Sequence, residues 1–189
     1  MKKIGDNNDL KVLCERYKNT RFHISSDPIR KLRNVKQKKI IWFPNGLWFG
    51  IGCAWLDFMI NELEKDPCYY IYQVIANNEM KKIKSMEEMT KFDDEIIDGH
   101  KVQKDEWKID WKTVAKKYDG IEIDVTKDKF YEDSNYYSQN QWFWTWDIPS
   151  GAIWKFNDVI IRLIFQKKDN IWYQVNDVIP YVRYQFTKK

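Results

Sequence analysis

The sequence is short of the residues that usually announce a site. It holds 3 cysteines, Cys14, Cys53 and Cys68, an odd number with no C-x-x-C spacing. Neither a disulfide framework nor a zinc centre is therefore expected, and the compartment reads as reducing. The 2 histidines, His23 and His100, lie far apart without neighbouring cysteines, so no metal is expected. Met1 to Asn7 turns polar at once, and no continuous apolar run follows that would make a signal peptide or a membrane span. A soluble, cytosolic protein with no membrane partner is expected. Charge of one sign is also scarce: 32 basic against 28 acidic side chains leave +4, which by itself names no partner. No internal repeat or linker is evident.

Aromatic residues are abundant. Ten Trp, 11 Tyr and 10 Phe in 189 residues supply a core and exclude global disorder. The length suits one domain spanning residues 1–189, since two cores would leave each half near the small-domain stability limit. Within it, residues 20–154 carry the motifs below, and residues 155–189 read as a C-terminal β extension.

Local patterns set the elements. Leu10, Val12, Leu13 and Tyr17 predict a helix over Asp9–Tyr17 with Asn8 as its cap. A strand follows at Arg21–Ile24, then a turn or short helix from Asp27-Pro28. Arg30, Lys31, Arg33, Lys36, Lys38 and Lys39 then cluster, as in a phosphate-facing loop or in a solvated linker between two strands. Pro44-Asn45-Gly46 turns the chain into the strand Leu47-Trp48-Phe49, which can lie beside the first. Gly50 and Gly52 bracket the step into a helix carrying Trp55, Phe58, Met59 and Leu63, which Asp66-Pro67 ends.

Cys68–Ile75 reads as a central strand and Lys82–Met86 as a short one. Met86–Ile97 is an amphipathic helix with Glu87, Glu88, Asp93, Asp94 and Glu95 on a solvated acidic side. Asp110 caps a helix through Tyr118 that Asp119-Gly120 stops, and Ile121–Val125 forms a strand. Residues 126–140 read as a loop. Val159–Gln166 and Ile171–Val175 flank Lys167-Lys168-Asp169-Asn170 as a hairpin, and Tyr181–Phe186 adds a last strand. The fold class is α+β, with a mainly antiparallel sheet flanked by short helices.

Four segments carry the functional signal: Phe22-His23-Ile24-Ser25, Pro44–Trp48, Ile109–Ile121 and Trp146–Trp154. Their patterns, F-H-x-S, P-x-G-L-W, I-D-W-x-x-V-A-x-x-Y-D-G-I and W-D-x-x-S-G-x-I-W, resemble a set of phage, bacterial and giant-virus proteins. The opening motifs are similar to those of the ADP-ribosyltransferase fold. The resemblance covers His23 to Trp154. It implies a split, mainly antiparallel sheet and NAD as cofactor, and the segments themselves hint at one cleft built from distant parts of the chain.

That resemblance assigns roles. His23, with Ser25 two residues on, stands where a first-strand histidine holds the adenosine ribose, since imidazole offers one donor and one acceptor. A strand histidine is otherwise a satisfied structural group. Gly46, Trp48, Phe49 and Trp55 fit the motif that stacks on nicotinamide, a π-face favouring a cation, although the three rings cannot all do so and at least two belong to a core. Asp147, with Ser150 and Gly151 shaping its loop, takes the place of the carboxylate that stabilises the oxocarbenium ion as nicotinamide leaves. It departs from the family's glutamate pattern, and no E-x-E or Q-x-E pair stands at this position. Glu122 and Asp124 are reserves that an exposed edge strand also explains.

The expected function is that of an NAD-dependent mono-ADP-ribosyltransferase-like protein, viral or effector in type and acting in the host cytosol, with a protein or nucleic acid as macromolecular acceptor. The alternative is a non-catalytic nucleotide, nucleic-acid or protein binding module, including a virion component.

Overall fold

The computed structural model describes residues 1–38, 41–61, 69–97, 109–124, 142–143, 146, 148–175 and 182–183. In chain order these form β1 (Lys2–Gly5), α1 (Asn7–Cys14), a 3-10 turn (Glu15–Tyr17), β2 (Arg21–Ser25), β3 (Leu47–Ile51) and α2 (Ala54–Asn61). There follow β4 (Tyr70–Ala76), β5 (Met80–Ile83), α3 (Met86–Ile97), α4 (Trp111–Lys117) and β6 (Gly120–Ile123). The last are β7 (Ser150–Ile153), β8 (Val159–Lys168), β9 (Ile171–Gln174) and β10 (Val182–Arg183). The class is α+β with a mixed sheet and few helices. Two compact units are distinguished: Met1–Arg33, Trp48–Asn78 and Phe156–Lys189 in the first, Asn34–Leu47 and Glu79–Lys155 in the second.

In the first unit the strands run β1-β9-β8-β4-β2-β3, with β10 also on β8, and every pairing among them is antiparallel. The aromatic and branched β4 is central, as its composition predicts, with β2 on one side and β8 on the other. Asp169 and Asn170 take φ of 48° and 61° between β8 and β9. Both central residues are left-handed, which matches the turn to the strands' right-handed twist and makes the predicted hairpin. The strands after residue 155 thus pair with β4 and with each other.

Helix α1 starts earlier than its apolar spacing suggests. Asp6, not Asn8, is the cap: its Oδ1 accepts from Asn8 N at 2.8 Å and Asp9 N at 3.2 Å, and the Asp9 carboxylate accepts from Asp6 N. This reciprocal box satisfies more of the orphan donors than a cap at Asn8 would. Helices α1 and α2 bring Leu10, Cys14 and Leu56 onto a core with Phe22, Ile71, Ile164, Phe165 and Trp172. The Trp172 indole is satisfied by Asn7 Oδ1 at 2.9 Å.

The expectation of no disulfide is overturned here, because Cys14 and Cys53 are bonded, with Cα atoms 5.7 Å apart. The two lie 39 residues apart in sequence, so no spacing rule could pair them. The turn before α2 brings them together, with Gly52 N donating to Thr20 O at 2.8 Å.

In the second unit β6 lies between β5, to which it is parallel, and β7, to which it is antiparallel. The parallel pair requires a long crossover, which α3 and α4 lie within. The strand expected at Lys82–Met86 is Met80–Ile83, since Ser85 accepts from Glu88 N and opens α3 instead. Asp110 caps α4 as predicted, Oδ1 accepting from Thr113 N at 3.1 Å. Gly120 is not a helix stop: Tyr118 ends the helix in extended conformation. The glycine is required by close strand approach, because a Cβ there would stand 2.8 Å from the Ala152 carbonyl oxygen.

Four of the aromatic residues between 142 and 154 form core. Trp142, Phe143, Trp146 and Trp154 are buried. Trp142 meets Phe92, Trp111, Phe143 and Trp146 edge-on at about 6 Å between centroids. Its indole donates to Asp93 Oδ1 at 2.8 Å, so Asp93 is buried rather than on the solvated acidic side of α3. Glu87, Glu88 and Asp94 are exposed as expected. Val125 and residues 126–140 lie outside the described residues.

Candidate functional site

The site begins with the end of a ladder. Strands β2 and β3 pair at Arg21↔Ile51 and Phe22↔Gly50, and the pairing stops there. One step further the Trp48 carbonyl is taken by a side chain instead, with His23 Nδ1 at 2.6 Å. A carbonyl only accepts, so Nδ1 carries the hydrogen. Burial lowers the imidazole pKa, and the Trp48 bond offsets that only in part. His23 is therefore neutral at pH 7, in the Nδ1–H form, and its Nε2 is an acceptor.

Strand alternation puts Arg21, His23 and Ser25 on one face of β2. The β4 register sets Tyr72 opposite His23 and Tyr70 opposite Ser25. The His23 and Tyr72 rings stand 6.5 Å apart at 38°, and Tyr70 and Tyr72 stand 6.5 Å apart at 29°. Tyr72 Oη accepts from Ile29 N at 2.9 Å and keeps its own proton. Burial raises the phenol pKa, the Ile29 bond lowers it less, and the nearby Tyr70 raises it again. One face thus offers an imidazole acceptor and a phenol donor.

The other predicted residues are distributed differently. Ser25 Oγ donates to the Asp27 carbonyl at 2.7 Å and accepts from Asp27 N at 3.2 Å, so its hydroxyl closes the turn after β2. Phe49 is fully buried, with the Arg21 guanidinium 5.6 Å above its ring, and has no face open to a pyridinium. By alternation Trp48 and Gly50 project to the side opposite Phe49 and His23. Trp55 packs on that opposite side, where a Cβ at Gly50 would collide with its Cβ. Its half-buried indole stands 6.1 Å from Phe58, and its Nε1 has no hydrogen-bond partner among the described residues.

Gly46, Ser150 and Gly151 belong to the second unit. Gly46 lies against the Ile153 carbonyl, Ser150 Oγ donates to Ile148 O at 2.9 Å, and Gly151 pairs with Glu122. Asp147 lies outside the described residues. Glu122 is not on an exposed edge: β6 has a neighbour on both sides, and the residue is 7% exposed. Asp124 is exposed just beyond β6.

The chain matches no protein-family model, no curated protein and no solved structure. The site therefore rests on its own geometry. Tyr72 was missed by sequence reasoning. Its only signal is the Tyr70-x-Tyr72 spacing on a predicted strand, and nothing in that spacing names His23 as the neighbour. Among the described residues no three His, Cys, Asp or Glu side chains converge as metal ligands, and no helix is long and apolar enough to cross a membrane.

Proposed function

We propose that this chain binds a nucleotide ribose on the His23 face, that the nucleotide is NAD, and that the protein is ADP-ribosyltransferase-like, acting on a macromolecular acceptor. The His23 Nδ1–Trp48 O bond of 2.6 Å carries the reading, because it makes Nε2 an acceptor on the face that holds the Tyr72 hydroxyl. A sugar hydroxyl both donates and accepts and suits that pair. A phosphate only accepts and gains nothing from a neutral acceptor nitrogen. The choice of NAD comes from the four motifs and their resemblance.

His23, half-buried, fits a ribose with the Tyr72 hydroxyl beside it, although Tyr72 is only 4% exposed; Phe49, wholly buried, does not fit as a stacking surface. NAD, when bound, supplies a glycosidic bond whose nicotinamide leaves with the bonding electrons while an acceptor nucleophile replaces it and releases a proton. In this reading His23 and Tyr72 orient the ribose, and the motif resemblance gives Asp147 the part of the carboxylate that stabilises the oxocarbenium ion. A second reading is nucleotide binding without transfer. The opposite projections of Trp48 and His23 favour it, since nicotinamide stacking and ribose binding then share no surface.

Calorimetry with NAD and ADP-ribose, on wild type, His23→Ala and Tyr72→Phe, together with transfer from adenylate-labelled NAD by wild type and Asp147→Ala, tests both. Binding that weakens about tenfold in His23→Ala, with label lost in Asp147→Ala, supports the transferase. Binding without label supports the second reading. A folded wild type with no affinity for either ligand overturns both.

A further inference from the structure

The second unit holds a closed loop with an unusual tip. Gln37 Nε2 donates to Asn45 O at 2.6 Å and Gln37 Oε1 accepts from Asn45 N at 2.9 Å, while Asn45 Nδ2 donates to Lys36 O at 3.4 Å. A side-chain amide thereby acts as a backbone bridge across the neck. Inside the loop Ile41 is pinned: it exchanges backbone bonds with Ile109 at 3.4 and 3.3 Å, and its carbonyl accepts from Trp111 Nε1 at 3.2 Å. Pro44 is buried. Between these anchors Trp42 and Phe43 are each 39% exposed, in a chain that buries most of its other described tryptophans and phenylalanines. Phe43 has the buried Trp146 ring behind it, at 6.4 Å.

Lys36 and Lys38 are exposed on the loop, Lys112 is exposed next to the Trp111 that holds Ile41, and no acidic residue occurs from 34 to 47. Two part-exposed rings on a fixed base beside lysines match a polyanion with flat, unpaired rings. A duplex stacks its bases internally and offers none. An apolar protein partner would need about 800 Å² on this side, far more than two half-open rings supply.

We propose that Lys36, Lys38, Trp42 and Phe43 dock single-stranded nucleic acid, with Trp42 and Phe43 stacking on bases and Lys36 and Lys38 neutralising phosphates. These residues belong to the second unit, and their docking does not depend on the nucleotide reading of the His23 face.

The test is fluorescence anisotropy of labelled oligouridylate and oligothymidylate, about 15 nucleotides long, titrated with the full chain across a range of salt. Wild type is expected to bind both at about 50 mM salt and more weakly as salt rises. Trp42→Ala with Phe43→Ala is expected to weaken binding about tenfold or more at every salt concentration. Trp42→Tyr with Phe43→Tyr should restore it, which separates stacking from a folding defect. Lys36→Ala with Lys38→Ala should lower the log–log salt slope by about 1.4, two phosphate contacts at about 0.7 each. No binding at low salt, equal affinity for a duplex, or affinity unchanged by loss of both rings in a folded chain overturns the proposal.

Discussion

His23 and Trp48 are joined across the end of an interrupted ladder, ring nitrogen to carbonyl oxygen at 2.6 Å. Because the oxygen accepts and burial disfavours the imidazolium, this contact sets both the tautomer and the charge of the histidine. It also ties β2 to β3 where their backbones have ceased to pair.

A pH dependence follows from that contact. The folded pKa of His23 lies below its ordinary value of 6.5. Between the two values the unfolded chain holds a proton that the folded chain lacks, so stability rises with pH there, by up to about 1.4 kcal/mol per pH unit. Above 6.5 both states are neutral and the contribution is flat. Urea unfolding of wild type and His23→Gln across this window should show the slope in the wild type and lose this share in the variant. Long-range proton–nitrogen NMR should find hydrogen on Nδ1; hydrogen on Nε2 would sink the assignment.

Reduction should loosen the first unit. The Cys14–Cys53 bond closes a loop of 39 residues, for which chain entropy gives about 3 to 4 kcal/mol of stabilisation. Thermal melts with and without a dithiol, and a Cys53→Ala variant, should both show a lowered midpoint, with reductant having no further effect on the variant. Alkylation mass shifts that find all three thiols free in the untreated protein would contradict the bond.

The buried indole of Trp142 donates to Asp93 Oδ1, and a buried acceptor left without its donor costs about 1–3 kcal/mol. Trp142→Phe keeps most of the aromatic packing and loses the donor. Its unfolding free energy should fall by that amount, read as a lower denaturant midpoint at unchanged slope. An unchanged midpoint would remove the contact from the stability of the second unit.

Gly120 tests strand packing. Alanine there places Cβ 2.8 Å from a backbone oxygen and 3.2 Å from Met80 Cε, and overpacking of this kind costs about 1–3 kcal/mol. If Gly120 were only a helix terminator with room around it, Gly120→Ala would be nearly neutral in chemical denaturation.

Glu95 supplies an acid-sensitive link in the second unit. Burial raises its pKa, but bonds and charge from Lys117 and Lys81, with Tyr118, outweigh this and hold it below 4.5. Its contribution is present above the ordinary carboxylate value and is lost as pH falls through the lowered one. Glu95→Gln should be less stable than wild type near neutrality and converge with it in acid.

Much of the fold was legible locally. The Met86–Ile97 helix, the Asp110 cap, the Lys167–Asn170 hairpin and the central Tyr70–Ala76 strand depend on side-chain periodicity, on capping chemistry and on which residues tolerate positive φ. The site was legible only in part. His23 stood out as a histidine on a strand, yet nothing nearby in sequence named Trp48 O or Tyr72 as its partners.

What the sequence by itself determined is therefore the set of short-range elements, because backbone propensity, amphipathic period and turn chemistry act within a few residues. Tertiary structure alone decided that Cys14 meets Cys53, that Asp93 lies under Trp142, and that Trp48 and His23 project from opposite faces. Those outcomes depend on strand register and burial, and a register is a long-range choice in which a single-residue slip moves a side chain to the other face.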